Sequence, residues 1–180
     1  MNSFSKCASA MVAIVLLAGM TLAADTISSG KVKAVHSDKK EFVLAAAGGK
    51  DRTIKLGNNV VINRDGKETK GELNENDTVN VWYDKGTFTS TAHYILVQEG
   101  NSKNWKLMQG TFKGYDPGKK LLSFTDVGGT DLTFGWGDGK VRLNKKLAKV
   151  ENIKIGDKML IIVETNRDTM TLKAVMVERK

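Results

Sequence analysis

Hydrophobic and polar positions alternate along the chain in short runs, broken by glycines and turn residues. Lys31-Val-Lys-Ala-Val-His36 alternates strictly, the period of a half-buried strand. Glu41-Phe-Val-Leu44 and Asp51-Arg-Thr-Ile-Lys-Leu56 follow as further strands, separated by Gly48-Gly49. Thr78-Val-Asn-Val-Trp-Tyr83 and Thr91-Ala-His-Tyr-Ile-Leu-Val97 complete five. Later in the chain, Asp116-Pro-Gly-Lys119 reads as a turn, because Pro presets φ and Gly accepts a positive one. The stretches 64–76 and 144–156 are the predicted places for a short helix. In the second, Leu147, Val150 and Ile153 recur at three-residue spacing and should turn inward, while Lys145 and Lys149 share a face.

The pattern occurs twice. Laying Gly30–Gly100 over Gly110–Lys180, a shift of 80 residues without gaps, superposes Gly30, Lys33, Gly57, Val61 and Asp77 on Gly110, Lys113, Gly137, Val141 and Asp157. Apolar positions keep phase as well, as in Leu44/Phe124, Ile54/Phe134 and Val81/Ile161. Each copy has three strands, a short helix or loop, then two strands, the order of a five-stranded OB-type barrel. A small residue eases the bend of the first strand in such a barrel, and Ala34 and Gly114 fall at the same place in it. Gly57 and Gly137 are expected in matching turns. A two-sheet sandwich needs about seven strands per unit and fits less well. The fold class is therefore all-β, two tandem five-stranded OB-like β-barrels after an N-terminal signal helix. Residues 1–24 form the signal, 25–100 the first module, 101–109 a linker and 110–180 the second. Trp105 and Leu107 argue for a linker docked on the barrels rather than a loose tether.

The run Gly30-Lys-Val-Lys-Ala-Val-His36, a Lys-Lys turn, Gly49-Lys-Asp51, Asn63-Arg-Asp-Gly-Lys67 and Asp77-Thr-Val79 resembles a family of exported bacterial OB-like repeat modules of unknown function. The second copy resembles it through Gly110, Asp116-Pro-Gly-Lys-Lys120 and Ile155-Gly-Asp157, and departs where Asp-Gly-Lys becomes Lys145-Lys-Leu147. The resemblance implies a fold and no ligand.

Lys6, an uncharged stretch from Ala8 to Ala24 and small residues at Ala23 and Ala24 give the order of a secretory signal, cut after Ala23 or Ala24. Its strongly apolar part is short of the roughly 20 residues of a span, so no transmembrane segment is expected in the mature chain. An exported chain, periplasmic or extracellular, follows. Cys7 precedes the apolar run, so the mature protein has no cysteine and relies on its core.

The chain carries a net charge of +8, and losing Lys6 leaves 27 − 20 = +7. The second module holds most of that excess, with 14 Lys/Arg against 9 Asp/Glu over 110–180. Lys140, Arg142, Lys145, Lys146 and Lys149 crowd into one segment, and with Lys119, Lys120, Tyr115 and Trp136 could form a basic groove with aromatic platforms. The two histidines, His36 and His93, face Asp116 and Lys173 in the other copy and are expected as exposed strand or turn residues. Asp51/Asp131 and Asp77/Asp157 recur beside turns, where Asp caps backbone N–H groups. No catalytic motif, metal site or cofactor is expected. The expected role is a non-catalytic binding or scaffold protein of the cell envelope. Its partner is unknown, with an anionic envelope polymer or an acidic protein as candidates. The alternative is a binder of anionic glycan, lipid head group or nucleic acid through the seven cations named.

Overall fold

The computed structural model describes residues 25–179 apart from 48, 70, 71, 87 and 168. The expected signal helix lies outside the described residues. Strands are β1 Asp25–His36, β2 Glu41–Ala46, β3 Arg52–Arg64, β4 Lys67–Thr69, β5 Thr78–Lys85 and β6 Ser90–Val97. They are followed by β7 Trp105–Asp116, β8 Leu121–Asp126, β9 Asp131–Leu143, β10 Lys146–Ala148, β11 Lys158–Asn166 and β12 Thr169–Val177. Two 3₁₀ turns, Gly100–Ser102 and Val150–Asn152, join them.

β1 pairs antiparallel with both β2 and β5, β2 with β3, and β5 with β6. A parallel pairing of β3 with β6 closes the ring. That is the OB-like order, five strands closed on themselves, with β4 hung on β3 as a short hairpin. Strands β7 to β12 are wired identically, β9 pairing parallel with β12. Alternate residues point inward, so Phe42, Leu44, Ile54, Val79, Val81 and Tyr83 fill the first barrel. Phe112, Leu122, Phe124, Phe134, Ile161 and Val175 fill the second. Closing so small a ring requires β1 to serve two neighbours at once. Gly30 pairs with Ala46 on one side and Val79 on the other. A Cβ there would lie 2.2 Å from the Ala45 carbonyl oxygen, and one on Gly110 would lie 2.1 Å from that of Thr125. Bulges at Lys33 and Lys113 then bend the strand just before Ala34 and Gly114.

Register corrects the gapless superposition. Leu56 and Trp136 occupy the same place, but Ile62 pairs with Ile95 where Val141 pairs with Val175. The second barrel is one residue shorter in the bulge between them, so Val141 corresponds to Ile62 and not to Val61. Gly57 and Gly137 lie in this bulge, inside β3 and β9, and not in turns. Glycine is needed there because the strand passes close to its parallel neighbour; a Cβ on Gly57 would sit 2.7 Å from the Ala92 carbonyl oxygen. With the one-residue correction, Asp65-Gly66 corresponds to Asn144-Lys145. All four residues have positive φ (53°, 77°, 50° and 68°), the two-residue hairpin turn whose twist suits the flanking strands. In this register Asp65-Gly-Lys67 meets Asn144-Lys-Lys146, so the second copy keeps the turn and its last lysine and departs only in the Asp and the Gly.

No α-helix forms over 64–76 or 144–156 among the described residues; hairpins β3–β4 and β9–β10 stand there. Val150 and Ile153 do turn into the second core, from the 3₁₀ turn and the extended residues after it, whereas Leu147 is 73% exposed on the hairpin. Trp105–Gln109, assigned above to the linker, open β7.

Between the barrels lies a third apolar cluster. Tyr94, Leu96, Leu107, Leu160 and Ile162 are buried in it, flanked by Ile27, Val61, Trp82, Trp105, Ala174 and Met176. The two barrels contribute matching places, Ile27 and Leu107, Trp82 and Ile162, Tyr94 and Ala174, Leu96 and Met176. Polar contacts cross at its margin. The Leu107 N–H donates to Asn80 Oδ1 at 3.2 Å, the Gln98 amide donates to the Trp105 carbonyl at 2.8 Å, and Arg142 pairs with Glu68. Among the described residues, no helix is long and apolar enough to cross a membrane.

Candidate functional site

The seven predicted cations do not converge. Lys119 and Lys120 are exposed in the β7–β8 turn. Asp116 Oδ1 accepts the Lys119 N–H at 3.0 Å, and the Lys120 carbonyl accepts the Trp136 N–H at 2.7 Å, which ties the turn to β9. Lys145 lies beyond the far end of β9, up to ~30 Å along an extended strand. Within the β9–β10 hairpin, register divides the charges between faces. Lys146 lies opposite Leu143, and Ala148 opposite Val141, so these four share the face toward the second core. Lys140, Arg142 and Leu147 occupy the other. The helical alignment of Lys145 with Lys149 is lost, since Lys145 is a turn residue and Lys149 precedes the 3₁₀ turn. Arg142 is committed to Glu68 of the first barrel. The other six are exposed and make no ion pair among the described residues.

Tyr115 and Trp136 are not open platforms. Their rings meet edge to face at 5.5 Å, packed on the second core. The outward positions of β8 and β9 are Leu121, Ser123, Thr125, Asp131 and Thr133, with no aromatic ring among them. The matching positions on β2 and β3 are Glu41, Val43, Thr53 and Lys55.

The recurring aspartates take two structural roles. Asp77 accepts the Asn74 N–H and Asp157 the Lys154 N–H, each at 2.8 Å, as local caps. Asp51 and Asp131 are cross-strand partners of Lys33 at 2.7 Å and Lys113 at 2.5 Å instead of turn caps. Lys113 is the main reason the Asp131 carboxyl titrates below the usual range.

The constellation that the sequence reading missed lies at matching bulges of β6 and β12. Trp82 pairs with Tyr94 and Tyr83 with Ala92, which leaves His93 as the extra residue. Ile162 pairs with Ala174 and Val163 with Leu172, which leaves Lys173. A bulge re-aims its side chain, and both point at an acid on the neighbouring strand. His93 Nε2 lies 2.6 Å from Asp84 Oδ2, and Lys173 Nζ 2.9 Å from Glu164 Oε2. The third member differs. In the second barrel Trp105 lies opposite Glu164, and the Lys173 ammonium stands 5.6 Å from its ring centroid. In the first, Asp25 lies opposite Asp84, while His93 leans on Trp82 at 5.3 Å between ring centroids. Like charges directly opposite on paired strands repel. Partial burial and Asp84 push the Asp25 carboxyl up to about 6, whereas a hydrogen bond from Asp25 and the contact with His93 hold Asp84 low. Hydrogen bonding to Lys173 holds Glu164 low. His36 is exposed as expected; His93 is half-buried and paired. The hint in the sequence was the substitution of His93 by Lys173 between copies, which keeps a nitrogen base beside an acid.

Among the described residues, no group of three or more His, Cys, Asp or Glu side chains could hold a metal ion. No protein-family model matches the sequence, and no curated protein matches it. A solved structure described as "drosophila Unr CSD456" aligns at 15% identity with a TM-score of 0.29, over 84% of this chain and 61% of that one. The chain thus spans less than two thirds of that structure. A superposition so loose carries no argument, and the OB-like assignment rests on strand order.

Proposed function

We propose that the chain is an exported, non-catalytic binding or scaffold protein of the cell envelope, a tandem pair of OB-like modules behind a cleaved signal helix. The seam between the barrels carries this reading. Equivalent outer faces close on each other and bury Tyr94, Leu96, Leu107, Leu160 and Ile162, so two sets of barrel loops are held in one fixed relation. Such an assembly suits presentation of surfaces to a partner. Export is supported by Lys6, the uncharged run from Ala8 to Ala24 and the small residues Ala23 and Ala24. The test is affinity capture from envelope extract with the processed protein at low and high salt, alongside N-terminal sequencing of the exported form. Met1 retained on exported protein, or no retained partner at either salt, would sink the reading.

A second reading, a polyanion binder through the second module, is favoured by the exposure of Lys119, Lys120, Lys140, Lys145, Lys146 and Lys149 without ion-pair partners among the described residues. Arg142 contributes less because Glu68 holds it. Anionic glycan or lipid head group suits this surface better than nucleic acid, since the outer β8–β9 face offers no ring for stacking. The triple change Lys145→Glu, Lys146→Glu, Lys149→Glu should abolish retention on a heparin column and barely move the thermal midpoint. Retention that survives the change, or is insensitive to salt, would return the segment to a solvated face.

A further inference from the structure

We propose that Asp25, Asp84 and His93 form a proton-operated clasp that tightens the seam between the start of β1 and the end of β12 as the medium is acidified. The second barrel supplies the comparison. At its bulge a permanent cation, Lys173, pairs with a single carboxylate, Glu164, and the third place is an indole. That arrangement keeps its charge through the physiological range. The first barrel replaces the lysine by the imidazole of His93, 2.6 Å from Asp84. It also replaces the indole by a second carboxylate directly across from the first.

The clasp sits where the barrels meet. Ile27 and Trp82 belong to the apolar seam, and Trp82 touches His93. Glu178, just beyond β12 of the second barrel, faces Asp25 and adds to the repulsion there. Asp126, at the end of β8, lines the same groove as Asp25, Ile27, Leu107 and Val127. The groups acting on Asp25 are Asp84 from β5, His93 from β6 and Glu178 after β12, while Asp126 of β8 lines the same groove and accepts the Thr130 N–H. When Asp25 is ionised, Asp25, Asp84 and Glu178 put three carboxylates around this end of the seam. Acidification puts a proton on Asp25, which can then donate to Asp84.

The sign follows from the raised Asp25 value. A carboxyl that titrates near 6 when folded and near 4 when unfolded adds stability as pH falls through about 6, and the gain is complete near 4. Asp84, held low, works oppositely but only below that window. Processing after Ala24 would leave an α-ammonium on Asp25. That group titrates near pH 8, so it is charged at pH 5.5 and mostly charged at 7.5, and it is common to every variant compared.

The test is hydrogen exchange on the processed protein at pH 5.5 and 7.5, corrected for intrinsic rates, read at Ile27–Gly30 and Val177–Glu178. Protection should rise about threefold to fivefold at pH 5.5, because a carboxyl titrating at about 6 is mostly protonated there and hardly at all at pH 7.5. Asp25→Asn, which mimics the protonated acid, should show equal protection at both pH values. His93→Lys places at this bulge the residue its counterpart already carries, so it provides a second variant with the bulge chemistry of the other barrel, and it should flatten the pH dependence too. In a His36→Gln background His93 is the remaining histidine, and its imidazole resonance should move on Asp25→Asn. Equal protection of the unmodified protein at both pH values overturns the clasp. So does a full pH dependence that persists in Asp25→Asn or in His93→Lys.

Discussion

The two barrels fasten the same joint with different residues. In the first, Arg64 at the end of β3 reaches Asp77 at 2.5 Å and Glu99 at 3.0 Å. In the second, Leu143 stands at the place of Arg64, and the cation comes from the other side. Arg179, at the place of Glu99, pairs with Asp157 at 2.5 Å and donates to the Asn152 carbonyl at 2.7 Å. The acid is fixed because it also caps its own turn, through Asn74 in one barrel and Lys154 in the other. The base is not fixed, since any long side chain that arrives at that carboxylate will serve. A position with two duties therefore keeps its residue, and a position with one duty can trade with a neighbour. The bulge sites follow the same logic, with the acid kept as Asp84 or Glu164 and its basic partner changed from His93 to Lys173.

The largest expected effect probes whether the barrels are comparable but separate, or one cooperative body. Leu96 is fully buried in the seam and Leu122 fully buried in the second core. If the seam belongs to the cooperative unit, Leu96→Ala should cost about 2–5 kcal/mol, like Leu122→Ala, in a urea titration with one transition. Two resolved transitions, or a nearly silent Leu96→Ala, would show that the barrels unfold independently. Next comes the strand both barrels bend. Gly30→Ala and Gly110→Ala each drive a methyl into a neighbouring backbone carbonyl. Each should cost about 1–3 kcal/mol or more, by comparable amounts, because neither backbone can yield as a side chain would. A loss confined to one of the pair would break the equivalence of the two first strands.

The smallest effect concerns the swapped arginines. Hydrogen bonding to Arg179 holds the Asp157 carboxyl below its usual range. A depressed carboxyl contributes stability above its unfolded value near 4 and loses it as pH falls through the folded value. Arg179→Leu should therefore lower the thermal midpoint slightly at pH 7, with the two proteins converging below about pH 3. Parallel curves down to pH 2 would mean that Arg179 acts by packing alone.

Strand order and the barrel cores were legible in the sequence because alternation and recurrent glycines report directly on burial and close approach. The hairpins at 64–69 and 143–148 were not. Asp65-Gly66 was readable as a turn, but Asn144-Lys145 places a lysine at positive φ, where composition predicts none. A single-residue difference in a bulge then displaced the alignment across that whole stretch, because a one-residue slip exchanges the faces of a strand. Arg142 counted as a free charge for this reason; its structural counterpart is Asn63, which faces the seam and bonds Tyr94 at 3.0 Å. Among the predicted cations, individual exposure was legible and convergence was not, since alternation fixes a face within one strand and says nothing of the strand beside it.

The nearness of Glu178 to Asp25, whose carboxyl it raises, has a topological consequence. It matches the contact of Trp105 with Gln98, where the chain passes from one barrel to the other. The crossing that the backbone makes once between β6 and β7 is thus geometrically ready a second time, between β12 and β1. A short peptide joining Glu178 to Asp25 should close the two barrels into a ring at little loop entropy. Cutting that ring at the 3₁₀ turn of Gly100–Ser102 would give a chain with the second barrel first. Which barrel leads is then a property of the gene, and the folded body has no front.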